Sequence, residues 1–187
     1  NMVRFVIKQF LGNEQVTQYY VVSLIGKTLV LLIAPINTIV ISYLTKRKER
    51  LTRSQFGKAV LAGGGVSLVF FVACQIGTPL FVWLFYRNLY ESVKGIVTVV
   101  NLAQILGLFS AFLFILVLTF TDERWQLWIQ LAHFCILLVS SVLAARTYGM
   151  MGFAVASLGA NSLRVAAVVI LGIVKAGKDK GDRNADR

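Results

Sequence analysis

The stretch Tyr19–Arg53 reads YYVVSLIGKTLVLLIAPINTIVISYLTKRKERLTR, and it governs the reading of the whole chain. An aromatic pair leads into an apolar run that ends in a dense basic cluster. Val21–Leu44 is long enough to cross ~30 Å of hydrocarbon at ~1.5 Å per residue. Tyr19 and Tyr20 suit the outer headgroup level, and Lys46, Arg47, Lys48, Arg50 and Arg53 suit the cytoplasmic face. The stretch therefore predicts both a membrane span and its direction.

Composition points the same way. Of 187 residues, 57% are hydrophobic and 14% charged, and the mean hydropathy is +0.75. A soluble domain of this length needs far less apolar surface, so the chain reads as an integral membrane protein. In a soluble protein the net charge of +11 would suggest nucleic acid. Here most of the cations lie in short segments beside apolar runs, where they orient spans, and no nucleic-acid partner is expected. Cys74 and Cys135 lie inside apolar runs without metal-ligand spacing, and are expected to be buried free thiols.

Moving outward, five spans are predicted. Span A is Tyr19–Leu44, with Pro35 expected to bend it. Span B is Ala59–Tyr86, with weak points at Gly63–Gly65 and at Gly77-Thr78-Pro79. A short polar link, Arg87–Lys94, leads to span C, Gly95–Thr121, which Asp122-Glu123-Arg124 ends. Span D is Trp125–Ala145, with Trp125 and Trp128 at one interface. Arg146 and Tyr148 mark a turn, and span E runs from about Met150 to Val174. The tail Lys175–Arg187 is glycine-rich, mixed in charge and expected to be disordered.

Twelve of the lysines and arginines fall on the side that holds the A/B link, the C/D link and the tail, against five on the other. That places the C-terminus in the cytoplasm and the start outside. Asn1–Leu11, broken by Arg4 and Lys8, is neither a signal peptide nor a full span, so at least one upstream span is expected. With no strand alternation, the fold class is all-α: a polytopic transmembrane helical bundle, with 1–174 as one lobe and 175–187 as the tail.

All eight acidic residues lie outside the five spans. This argues against a proton relay or cation site within this segment, and against an enzyme built on paired carboxylates. No nucleophile, zinc or phosphate-loop motif is present, and no catalytic residue, metal or cofactor is expected. Two cations remain within the spans. Arg164 lies ~24 Å from Tyr148 and ~16 Å from Lys175 by helical rise, near mid-membrane. An arginine there costs ~2.5–3.5 kcal/mol and normally faces protein or a watery cavity. Ser157, Asn161 and Arg164 share one face, beside a stripe of small residues, Gly152, Ala156 and Ala160. Two readings of Arg164 stay open: a cavity cation for an anionic ligand, or a structural arginine bonded to carbonyls or to an acid elsewhere.

Lys27, ~10 Å below Tyr20, has the same two-way reading, since its stem can snorkel to the interface. Gln126, Gln130 and His133 line one face of span D, and His133 reads as a packing histidine. Thr98, Asn101 and Gln104 form a patch early in span C, and Gln75 lies where span B is expected to bend. Such amides suit sugar hydroxyls or serve as interhelical glue.

Three passages carry a family resemblance. They are FLGNEQVTQYYVVSLIGKTLVLLIAPINTIVISYLTKRKER at Phe10–Arg50, GTPLFVWLFYRNLYESVKGIVTVVNLAQIL at Gly77–Leu106, and YGMMGFAVASLGANSLR at Tyr148–Arg164, whose G-x-x-G-x-A opens the last span. Together they resemble the C-terminal half of bacterial polysaccharide (O-antigen type) flippases of the multidrug/oligosaccharidyl-lipid/polysaccharide exporter superfamily. The resemblance implies two six-helix lobes around a cavity. This chain would hold the end of a seventh span at Asn1–Phe10 and spans eight to twelve as A–E, without the N-terminal lobe. It further implies flipping of a polyprenyl-diphosphate-linked oligosaccharide across the inner membrane in lipopolysaccharide biosynthesis. On that reading Arg164 and then Lys27 would meet the diphosphate, and Asn161, Gln130, Asn101 and Gln75 the sugars. A multidrug or cell-wall lipid exporter of the same superfamily, or a membrane enzyme or scaffold of a lipid or glycan pathway, are the alternatives.

Overall fold

The computed structural model describes residues 12–46, 52–118 and 120–176, and every regular element among them is a helix. The helices are α1 (Asn13–Lys46), α2 (Arg53–Phe85), α3 (Arg87–Val93), α4 (Val97–Leu118) and α5 (Glu123–Lys175). Among the described residues, three are long and apolar enough to cross a membrane: α2, α4 and α5. The chain is thus an all-helical protein whose composition is that of a membrane protein. The tail beyond Ala176, the basic residues Arg47, Lys48 and Arg50, and the segment Asn1–Phe10 lie outside the described residues.

Local chemistry sets the helix ends. Thr52 caps α2, its hydroxyl accepting from Gln55 N (3.3 Å) while Gln55 Oε1 accepts from Thr52 N (3.2 Å). This reciprocal pair satisfies two of the N–H groups a helix start leaves open. Both prolines, Pro35 in α1 and Pro79 in α2, lie inside continuous helices, as membrane helices tolerate. The Arg87–Lys94 link is mostly helical, because no glycine or proline interrupts it before Gly95, and Lys94 bonds Glu91 one turn back at 2.5 Å.

α5 has 53 residues and would be ~80 Å long if straight. It is not straight. Gly149 adopts φ 61 and ψ −144, a conformation that only glycine enters cheaply. The chain reverses there with helix on both sides of a single residue. Two contacts prove the reversal: His133 reaches Asn161 across 28 positions (3.1 Å), and Lys175 Nζ lies 5.5 Å from the Trp125 ring centroid. The sequence places this turn correctly, between Tyr148 and Met150.

Consecutive long helices run antiparallel. α4 is the central rod: ten of its 22 residues are buried, against four of 33 in α2. Two apolar clusters form along it. At the Gly149 end, Tyr19, Val22, Val82, Val97 and Phe153 pack together, with Tyr19 edge-on to Phe153 at 5.3 Å. At the other end, Phe56, Leu113, Val117, Phe120 and Val168 form the second, with Phe56 edge-on to Phe120 at 5.7 Å. The outer faces carry exposed Leu61, Leu68, Leu127 and Ile170, as a bilayer-facing surface does. Cys74 is buried as expected, but Cys135 is exposed on α5. An apolar run in a membrane helix does not distinguish the core side from the lipid side.

Candidate functional site

Between the two clusters the polar groups gather in two networks, both anchored on α4. The first joins α4 to the two arms of α5. Asn161 Nδ2 donates to the Ala103 carbonyl at 2.8 Å, so its Oδ1 is the acceptor for His133 Nε2 at 3.1 Å. Gly107 faces this amide: a Cβ there would sit 3.6 Å from Asn161 Nδ2, an ordinary van der Waals contact. One turn further along α5, the Arg164 guanidinium stacks 4.9 Å from the Phe114 ring centroid. Cation–π contact of this kind contributes ~0.5–2 kcal/mol, more where water is scarce. Arg164 Nε is buried and has no hydrogen-bond partner among the described residues. Ser157 Oγ, on the same face of α5, is likewise buried without one. The expected face of Ser157, Asn161 and Arg164 is thus turned toward α4, with two of its polar atoms left available.

The second network joins α2 to α4. Asn101 is fully buried. Its Oδ1 accepts from Thr78 Oγ1 (3.2 Å), and its Nδ2 donates to the Cys74 carbonyl (3.1 Å) and to Gln75 Oε1 (3.0 Å). Gln75 Nε2 in turn donates to Thr98 Oγ1 at 2.9 Å. The amide of Asn101 is occupied by neighbouring helices, while Gln75 retains a second amide N–H. Replacing Asn101 by leucine removes three bonds and strands Thr78 and Gln75. The expected loss is about 2 kcal/mol in denaturant unfolding of the detergent-solubilised protein, and wild-type stability would contradict the role assigned to this network.

Lys27 sits beside the aromatic pair at the start of α1. Its Nζ bonds Ser23 Oγ at 2.6 Å and lies 5.0 Å from the Tyr20 ring and 5.9 Å from the Tyr19 ring. The side chain runs toward the start of α1, the direction snorkelling takes. Tyr19 packs on Phe153, which is ~16 Å along the helix from Arg164, so the two cations are not brought together. Gln130 is exposed one turn before His133.

A polar pocket of about 240 Å³ lies beside the second network, lined by Gln75, Pro79, Tyr90, Lys94, Val97 and Thr98 among others. Gln75 lines it together with Pro79, one turn on in a helix that runs on without the expected bend. Glu91 holds the Lys94 ammonium above the ordinary lysine pKa by a direct hydrogen bond and by its charge. Tyr90 and Lys94 had no signal in the sequence beyond their place in a polar link. Phe114, the partner of Arg164, had none at all within an apolar run.

No family model, no curated protein and no solved structure matches this chain.

Proposed function

We propose that this chain is one lobe of a membrane transporter. It flips a polyprenyl-diphosphate-linked oligosaccharide from the cytoplasmic to the outer leaflet of a bacterial inner membrane by rocking against a second lobe. The observation that carries the proposal is Arg164. It is a cation in mid-helix, held by Phe114, with a buried Nε that lacks a partner among the described residues. A diphosphate supplies the paired anionic oxygens a guanidinium fits. The resemblance of the three quoted passages to polysaccharide flippases supplies the substrate class. Asn161 and Gln130 lie within a turn or two of Arg164 and His133, where a sugar next to the diphosphate would reach them.

On this reading the bundle crosses the membrane five times, through α1, α2, α4 and each arm of α5. What supports five is the reversal at Gly149, which leaves two arms of roughly 26 residues, ~39 Å each. The charge balance then places Lys175 in the cytoplasm and Tyr148 outside. In a Cys74/Cys135-free background, Tyr148→Cys is expected to react with an impermeant maleimide on intact cells, and Asp122→Cys only after permeabilisation. Labelling of both from one side would remove the five-span topology.

The functional test is export. With the chain deleted in its own organism, restoring the wild type is expected to restore surface polysaccharide. Arg164→Ala is expected to lower the rate about 10- to 100-fold, the worth of charged hydrogen bonds to a phosphate, with Arg164→Lys in between. Equal export by all three would sink the assignment of Arg164.

A further inference from the structure

The pocket beside Pro79 of α2 is chemically unlike the Arg164 region. Its volume, about 240 Å³, is below the ~300–1,000 Å³ of drug-sized sites, so it holds one ring rather than a chain. Its polar lining comes from four different groups. Gln75 brings a spare amide N–H, Thr98 a hydroxyl, Tyr90 a ring with a hydroxyl, and Lys94 an ammonium. Pro79 has no N–H to give the Gln75 carbonyl, which leaves an acceptor on the same wall. Val82, Val97 and the Pro79 ring make the rest of the lining apolar. The Lys94 charge is paired with Glu91 at 2.5 Å, so the pocket is not built around a free cation.

We propose that this pocket, between Pro79 of α2, α3 and the start of α4, binds one uncharged sugar ring. Mixed donors and acceptors meet the hydroxyls, and the apolar walls meet the C–H face. The site lies toward the Gly149 end of the bundle, among neighbours of the first apolar cluster, Val82 and Val97. As a glycan subsite of a transporter it rests on the function proposed above; as a sugar pocket it stands on its lining alone.

The test is saturation-transfer NMR on the full chain in lipid nanodiscs. The probes are methyl α-glucoside, methyl α-galactoside and the methyl glycoside of N-acetylglucosamine, with inorganic phosphate as the anionic competitor. At least one glycoside is expected to bind, unchanged by added salt and not displaced by phosphate. Thr98→Val and Tyr90→Phe are each expected to weaken it about 2- to 10-fold, one hydrogen bond's worth. Tyr90→Phe keeps the ring, so a folded variant is in hand even if Thr98→Val disturbs Gln75. Binding by none of the three glycosides, displacement by phosphate, or wild-type affinity in both variants would overturn the proposal. Glycoside binding without glycolipid flipping leaves the pocket standing and removes the transporter reading; flipping without glycoside binding does the reverse.

Discussion

Gly152→Ala is expected to cost about 3 kcal/mol of stability, the upper part of the range for overpacking a close contact. A Cβ at Gly152 would fall well inside van der Waals distance of the Ala144 carbonyl oxygen and 2.7 Å from Tyr148 Cβ. The first is a backbone atom of the opposite arm of α5, so relief requires the arms to separate. Their separation would in turn stretch His133 from Asn161 and loosen Ala145 from Phe153, both buried in the first cluster. Gly159→Ala is the control: its Cβ meets nothing within 4 Å, and alanine favours helix by up to ~1 kcal/mol. Denaturant titration in detergent should show a large loss for the first and none for the second. Equal midpoints would mean that the arms of α5 are not in contact as described.

Gly172→Ala is expected to cost nearly as much, about 2–3 kcal/mol, at the other end of the bundle. Here the obstacle is a side chain. The new methyl would overlap the ring of Phe56, which is fully buried and braced edge-on by Phe120. Phe56 comes from the first turn of α2 and Gly172 from the last turn of α5, so this contact ties together two helix ends far apart in sequence. Because the obstacle is a ring, it can be removed. The double variant Gly172→Ala/Phe56→Leu is expected to be more stable than the sum of the two single losses predicts, by about 1–2 kcal/mol. Strict additivity would count against the contact.

These two glycines illustrate what the sequence discloses. The motif Gly149-x-x-Gly152-x-Ala154 is visible as a string, and its separate duties emerge only in three dimensions. Gly149 supplies a backbone angle, Gly152 a close approach, and Ala154 a buried small side chain. The helical class, the turn after Tyr148 and the shared face of Asn161 and Arg164 are local properties, and local spacing reveals them. The pairings are not local. His133 and Asn161 were each legible as polar residues in apolar runs, as were Gln75 and Asn101, but their meeting depends on the register between helices. Nothing within either helix specifies that register when both are apolar on nearly every side. The Phe114 stack on Arg164 and the Lys94 side of the polar pocket were hidden for the same reason. The helix Arg87–Val93 has no signal in the sequence because seven residues, only two turns, are too few to display a period.

The two apolar clusters have a consequence for how the bundle loosens. They share no residue, and α4 carries both, one near Val97–Val100 and one at Leu113–Val117. Between them the rod carries Asn101 and Ser110, both dry, with Ser110 Oγ bonded to the Gly107 carbonyl at 2.8 Å. The bundle is therefore clamped twice, once at each end, around a polar middle. Contacts this far apart contribute to stability nearly independently, so parting the Phe56–Gly172 end leaves the Tyr19–Phe153 end packed. Amide exchange is accordingly expected to rise at one end of the bundle without exposing the amides of the other.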